Sequence, residues 1–98
     1  MRRLLQLLGD IRAEMERERD GLRDRYEKVT ADAAFSQLAL EDDSAGAAMS
    51  SKIDEMTDTM IRYTKRIASL DAQIKFVTDL DDRIVLFSQE NAGDKAPA

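Results

Sequence analysis

From Ile53 to Ile84, apolar side chains recur at alternating spacings of three and four residues: Ile53, Met56, Met60, Tyr63, Ile67, Leu70, Ile74, Val77, then Asp81, then Ile84. A row of that period lies along one stripe of a helix, and a period of 3.5 held for more than four heptads is the signature of a coiled-coil seam. One polar residue, Asp81, intrudes. A polar side chain at a seam position lowers stability and can fix register or oligomeric state, so Asp81 is the candidate register-specifying residue.

The rest of the chain offers little that would stop a helix. The only proline is Pro97, and glycine occurs at positions 9, 21, 46 and 93 alone. No segment alternates apolar and polar residues between turn signals in the way a strand requires. The best interior break is Glu41-Asp42-Asp43-Ser44-Ala45-Gly46, where turn formers cluster, followed by Ser50-Ser51 with Asp54 as a weak capping box. Asn91-Ala92-Gly93-Asp94 reads as a stop.

These signals predict an all-α fold, an antiparallel two-helix hairpin of coiled-coil type. Helix 1 is expected at about 2–40, a turn at about 41–50 and helix 2 at about 51–90, forming one domain over 1–93 with a frayed tail at 94–98. Each arm of nearly forty residues would run roughly 55 to 60 Å. A fold about residue 45 or 46 would set Leu22 against Ile67 to Leu70, Met15 against Phe76-Val77, and Leu8 against Ile84.

The first arm is less regular than the second. Leu4, Leu8, Ile11, Met15, Glu18, Leu22, Tyr26, Val29, Ala33 and Leu40 form a stripe with Glu18 as an interruption and a stutter around Leu22. Apolar residues also crowd the open end on more than one side: Leu4-Leu5, Leu7-Leu8, Phe76, Leu80 and Ile84-Val85-Leu86-Phe87. Two helices cannot bury a ring of apolar residues between them. The expected solution is self-association into a four-helix bundle, a dimer being favoured, with a different helical protein as the other possible partner. The expected interface comprises Leu4, Leu8, Ile11, Ile67, Leu70, Ile74, Phe76, Val77, Leu80, Ile84 and Phe87.

Composition closes off much chemistry. The 98 residues include no Cys and no His, which removes disulfides, thiolate nucleophiles, imidazole bases and metal sites built on those ligands. A net charge of −5 argues against a sequence-independent grip on nucleic acid. Residues 10 to 28 look arginine-rich but hold seven acids against six bases, so pairs such as Glu14-Arg17, Glu16-Arg19 and Asp20-Arg23 are expected on a solvated helix face. Glu41-Asp42-Asp43 lacks the spaced ligands of a calcium loop and reads as a capping turn. Asp79 and Asp82 share a helix face, but a carboxylate pair does acid/base work only where a cleft separates the two affinities. Met49, Met56 and Met60 are read as core near the turn.

No catalytic, cofactor-binding or metal-binding residues are therefore expected, and no cofactor. The chain is expected to be non-enzymatic. No stretch approaches the roughly 20 apolar residues of a membrane span, and Met1-Arg2-Arg3-Leu4-Leu5-Gln6-Leu7-Leu8 lacks the cleavage site of a signal peptide. A cytoplasmic location is expected, with secretion lacking a cleaved leader as the alternative.

The equal-armed layout is similar to that of the two-helix subunits and chaperones of type III and flagellar export. The small substrates of type VII secretion share the outline, but their Trp-x-Gly turn is missing, since the chain contains no Trp. The favoured function is thus a helical interaction or scaffold protein, and the rival is an export chaperone or small secreted subunit of a bacterial secretion system.

Overall fold

The computed structural model describes residues 1–41 and 46–94. It contains two α-helices, α1 (Arg2–Glu41) and α2 (Ala47–Asp94), packed side by side as an antiparallel hairpin 83 Å long and 14 Å in each of the other two directions between Cα atoms. The all-α hairpin expected from the sequence is what forms.

Both ends of α2 lie outside the expected bounds. The helix begins at Ala47, where the carbonyl of Gly46 accepts hydrogen bonds from the amides of Met49 at 3.0 Å and Ser50 at 3.3 Å. Ala47 and Ala48 are strong helix formers, so Ser51 and Asp54 sit inside the helix and do not cap it. At the other end α2 passes through Asn91 to Asp94. The Asn91 amide donates to the carbonyl of Phe87 at 2.9 Å, four residues back, and so joins the helix it was expected to end. The expected turn residues 42–45 and the tail 95–98 lie outside the described residues.

The seam of α2 is as read: Leu70 and Val77 are buried, and Ile53, Met56, Met60, Tyr63, Ile67, Ile74, Asp81 and Ile84 are half-buried. The same spacing continues to Ser88 and Asn91, also half-buried. The Ser88 hydroxyl oxygen is buried and has no hydrogen-bond partner.

The seam of α1 differs from the expected stripe. Leu4 and Ile11 are exposed at 42% and 36%, and Glu18 is exposed, whereas Leu5, Arg12 and Arg19 are half-buried and Ser36 is buried. The facing row runs Leu5, Leu8, Arg12, Met15, Arg19, Leu22, Tyr26, Val29, Ala33, Ser36, Leu40, with spacings of three and four that never slip. There is no stutter. Arg12 and Arg19 hold seam positions because their aliphatic stems lie along apolar surface while their guanidinium groups reach the rim. A search for large apolar residues passes over such positions.

Register follows from two cross-helix contacts. Arg19 reaches Asp71 at 3.3 Å, and the Thr30 hydroxyl lies 3.4 Å from the Met60 sulfur. Both correspond to folding about residue 45, as expected.

Candidate interaction surface

A two-helix seam leaves two flanks, and each is marked by an ion pair. On the first, the residues just before alternate seam positions face one another across the hairpin: Leu4, Ile11, Glu18 and Arg25 on α1 with Arg66, Gln73, Leu80 and Phe87 on α2. Arg66 donates from Nε to Oε2 of Glu18 at 2.6 Å and from Nη2 to Oε1 at 3.1 Å. This two-pronged hydrogen bond, reinforced by the positive charge, holds the Glu18 carboxyl below the usual glutamate range and raises Arg66.

On the second flank, the residues just after seam positions meet: Glu16, Arg23 and Thr30 with Thr57, Thr64, Asp71 and Thr78. Asp71 receives Arg19 on one oxygen at 3.3 Å and Arg23 on the other at 3.5 Å. Partial burial of the Arg19 guanidinium disfavours its charge, but hydrogen bonds to Asp20 and Asp71 outweigh that and leave the group raised.

The three expected pairs within α1 do not form. Glu16 pairs with Arg12 at 3.9 Å, and Arg19 and Arg23 turn to Asp71 on the other helix. The flank positions of antiparallel helices bring opposite charges together across the seam, a contact that spacing along one helix cannot reveal.

The flanks differ in what they expose. On the second, Thr30, Thr57 and Thr64 each donate to the carbonyl four residues back, at 2.8 to 2.9 Å, so these hydroxyls are satisfied within their own helices. Its exposed apolar groups are Tyr26 and Ile61. The first flank and the outer row beside it expose Leu4, Leu7, Ile11 and Phe35 from α1 and Phe76 and Phe87 from α2, Phe76 to 68%. An open groove of about 440 Å³ lies on this side, lined by Met15, Ser69, Ala72, Gln73, Phe76 and Val77, and a second of about 350 Å³ lies on the other flank, lined by Tyr26, Thr57, Met60, Ile61, Thr64 and Lys65. Met15 thus stands beside Phe76 and Val77 as the sequence suggested.

The expected interface residues therefore fall into two groups. Leu8, Leu70 and Val77 are buried inside the hairpin and Ile67, Ile74 and Ile84 are half-buried in its seam, whereas Leu4, Ile11, Phe76, Phe87 and half-buried Leu80 lie on the apolar flank. Leu7 and Phe35 belong with the second group, and the heptad position each occupies is the signal that identifies them. Asp81 is half-exposed and forms no ion pair among the described residues.

Asp79 is taken by Lys75 at 3.4 Å, and Asp82 is exposed. Of the acidic run before the turn, Glu41 is exposed at the end of α1, while Asp42 and Asp43 lie outside the described residues. Met49, Met56 and Met60 are half-buried, as expected of core near the turn. Among the described residues, no cluster of three or more acidic side chains is placed to hold a metal ion, and no helix is long and apolar enough to cross a membrane. The chain matches no known protein family, no curated protein and no solved structure.

Proposed function

We propose that the protein works without catalysis, as a helical interaction module whose hairpins associate with one another through the apolar flank into a four-helix bundle. The observation that carries this reading is the bias of the exposed apolar groups toward one flank: six line it, whereas Tyr26 and Ile61 lie on the other and Leu38 and Leu86 on the outer backs of the helices. Among the described residues the buried apolar side chains are Leu8, Leu22, Leu70 and Val77, while Leu4, Leu7, Ile11, Phe35, Phe76 and Phe87 stand exposed along one flank. Patches of this kind on a small chain mark protein interaction sites.

Surface area accommodates the same reading. A compact monomer of this mass would expose about 5,700 Å². The hairpin exposes 7433 Å², as its extended shape requires, which leaves ample surface for the roughly 800 Å² that each partner hides in a standard interface. A reducing compartment such as the cytoplasm suits a chain that contains no Cys.

Sedimentation equilibrium of the full chain tests the proposal. A species of twice 11.1 kDa at micromolar concentration is the expected result. A single-chain mass at every concentration would overturn self-association and leave the flank to a separate helical partner, as in the export-chaperone reading.

A further inference from the structure

The outer row of α1 beside the apolar flank consists of Leu7, Glu14, Gly21, Lys28 and Phe35, each seven residues from the next. Reversed about Gly21, the row is complementary to itself. Leu7 meets Phe35, Glu14 meets Lys28, and Gly21 meets Gly21. In the rows on either side Glu18 faces Arg25 and Arg17 faces Asp24, while Ile11 falls opposite Asp32 and Leu38 opposite Arg3. Glu14, Arg17, Asp24, Arg25 and Lys28 form no ion pair within the hairpin, among the described residues.

The register that sets Arg19 on Asp71 and Thr30 on Met60 places Ser69 level with Gly21. Reversed about Ser69, the outer row of α2 brings Glu55 to Arg83 and Arg62 to the exposed ring of Phe76, a cation–π arrangement. Gly21 has open space where a side chain would stand, so the levels of closest approach carry the smallest groups on both helices.

We propose that two copies of this chain pack through the apolar flank about a twofold axis perpendicular to the helices at the level of Gly21 and Ser69. Each α1 lies antiparallel on the other α1, and each α2 on the other α2. This deepens the self-association reading above and rests on it. The same flank used about an axis parallel to the helices would set Lys28 on Arg62, Leu7 on Arg83 and Phe35 on Glu55. That juxtaposes the like charges of Lys28 and Arg62 and leaves both apolar ends of the α1 outer row against charged groups, whereas the first arrangement matches that outer row throughout, which selects against the parallel axis.

Charge exchange tests the register in the full chain, with helicity followed by circular dichroism and association by sedimentation equilibrium at low salt. Glu14→Lys and Lys28→Glu are each expected to weaken dimerisation about tenfold, and the double variant to return close to the wild-type value. Gly21→Cys supplies an independent readout because the chain has no other thiol. Oxidation should give a disulfide-linked dimer, whereas Thr64→Cys on the other flank should not. A wild type that dimerises, with single charge variants unaffected or not restored in combination and no cross-link at position 21, would overturn this arrangement and leave self-association standing. A wild type that never dimerises would overturn both.

Discussion

The two flanks of the hairpin are made by the same helices and each carries a groove, yet one is more fully paired and the other more open to apolar contact. On the flank of Arg23 and Asp71, the threonine hydroxyls bond their own helix backbones and the charges meet across the seam. On the flank of Glu18 and Arg66, a single ion pair is set among exposed Leu4, Ile11, Phe76 and Phe87. The contrast shows that an amphipathic helix in a small assembly carries two decisions, one in its seam and one at the positions beside it. The seam decides that a hairpin forms; the neighbouring rows decide what the hairpin presents.

Breaking the seam should abolish the comparison altogether. Leu70 is only 1% exposed and sits midway along α2. Leu70→Ala should therefore cost about 2 to 4 kcal/mol in denaturant unfolding, because the cavity it leaves has few neighbours able to close it.

Asp81 offers a milder probe of the same seam. Replacing the half-exposed carboxylate by an apolar group, Asp81→Leu should raise stability at neutral pH by about 1 kcal/mol. If Asp81 specifies register, the variant should also show a broadened mass distribution in sedimentation; a single unchanged mass would assign it no such role.

Gly21 belongs to the apolar side, and in the isolated hairpin nothing lies within 4 Å of where its side chain would be. Melts of Gly21→Ala, at dilutions where only the single hairpin is present, should show a gain of about 0.5 to 1 kcal/mol from helix propensity alone. A lower melting temperature would mean that glycine is required within the hairpin itself.

The smallest effect concerns the ion pair of the open flank. Glu18 is held below the ordinary glutamate range by Arg66, so its contribution is fully present above that range and is lost as pH falls through the folded value. Acid titration of stability should accordingly be steeper for the wild type than for Glu18→Gln. Parallel curves would show that the pair adds nothing to folding.

Much of this architecture is legible in the sequence because heptad spacing is a property of one helix. The α2 seam can be read directly from Ile53 to Ile84, and near-equal arms about residue 45 give the register. The α1 seam was harder to see. Arg12 and Arg19 occupy seam positions as long amphipathic side chains, and Ser36 is buried although it is small and polar; a reading that follows large apolar residues moves instead to Ile11 and meets Glu18 as an interruption. The ion pairs were hidden for a related reason, since Arg66 meets Glu18 only once the second helix is laid against the first. The expected interface combined seam and surface residues because both are apolar, and only burial separates Leu70 from Phe76. The start of α2 was displaced by Ser50-Ser51, a capping signal that the alanines before it override.

The central claim is that one flank, and not the other, associates. Phe76 and Ile61 are both exposed on α2, at 68% and 47%, on opposite sides of the hairpin. Sedimentation equilibrium of Phe76→Asp and Ile61→Asp in the full chain compares the flanks directly, since an exposed aspartate leaves the single hairpin intact but places a charge in any interface that covers it. The expected result is a single-chain mass for Phe76→Asp beside a doubled mass for Ile61→Asp; doubled masses for both, or dissociation by Ile61→Asp alone, would contradict the account.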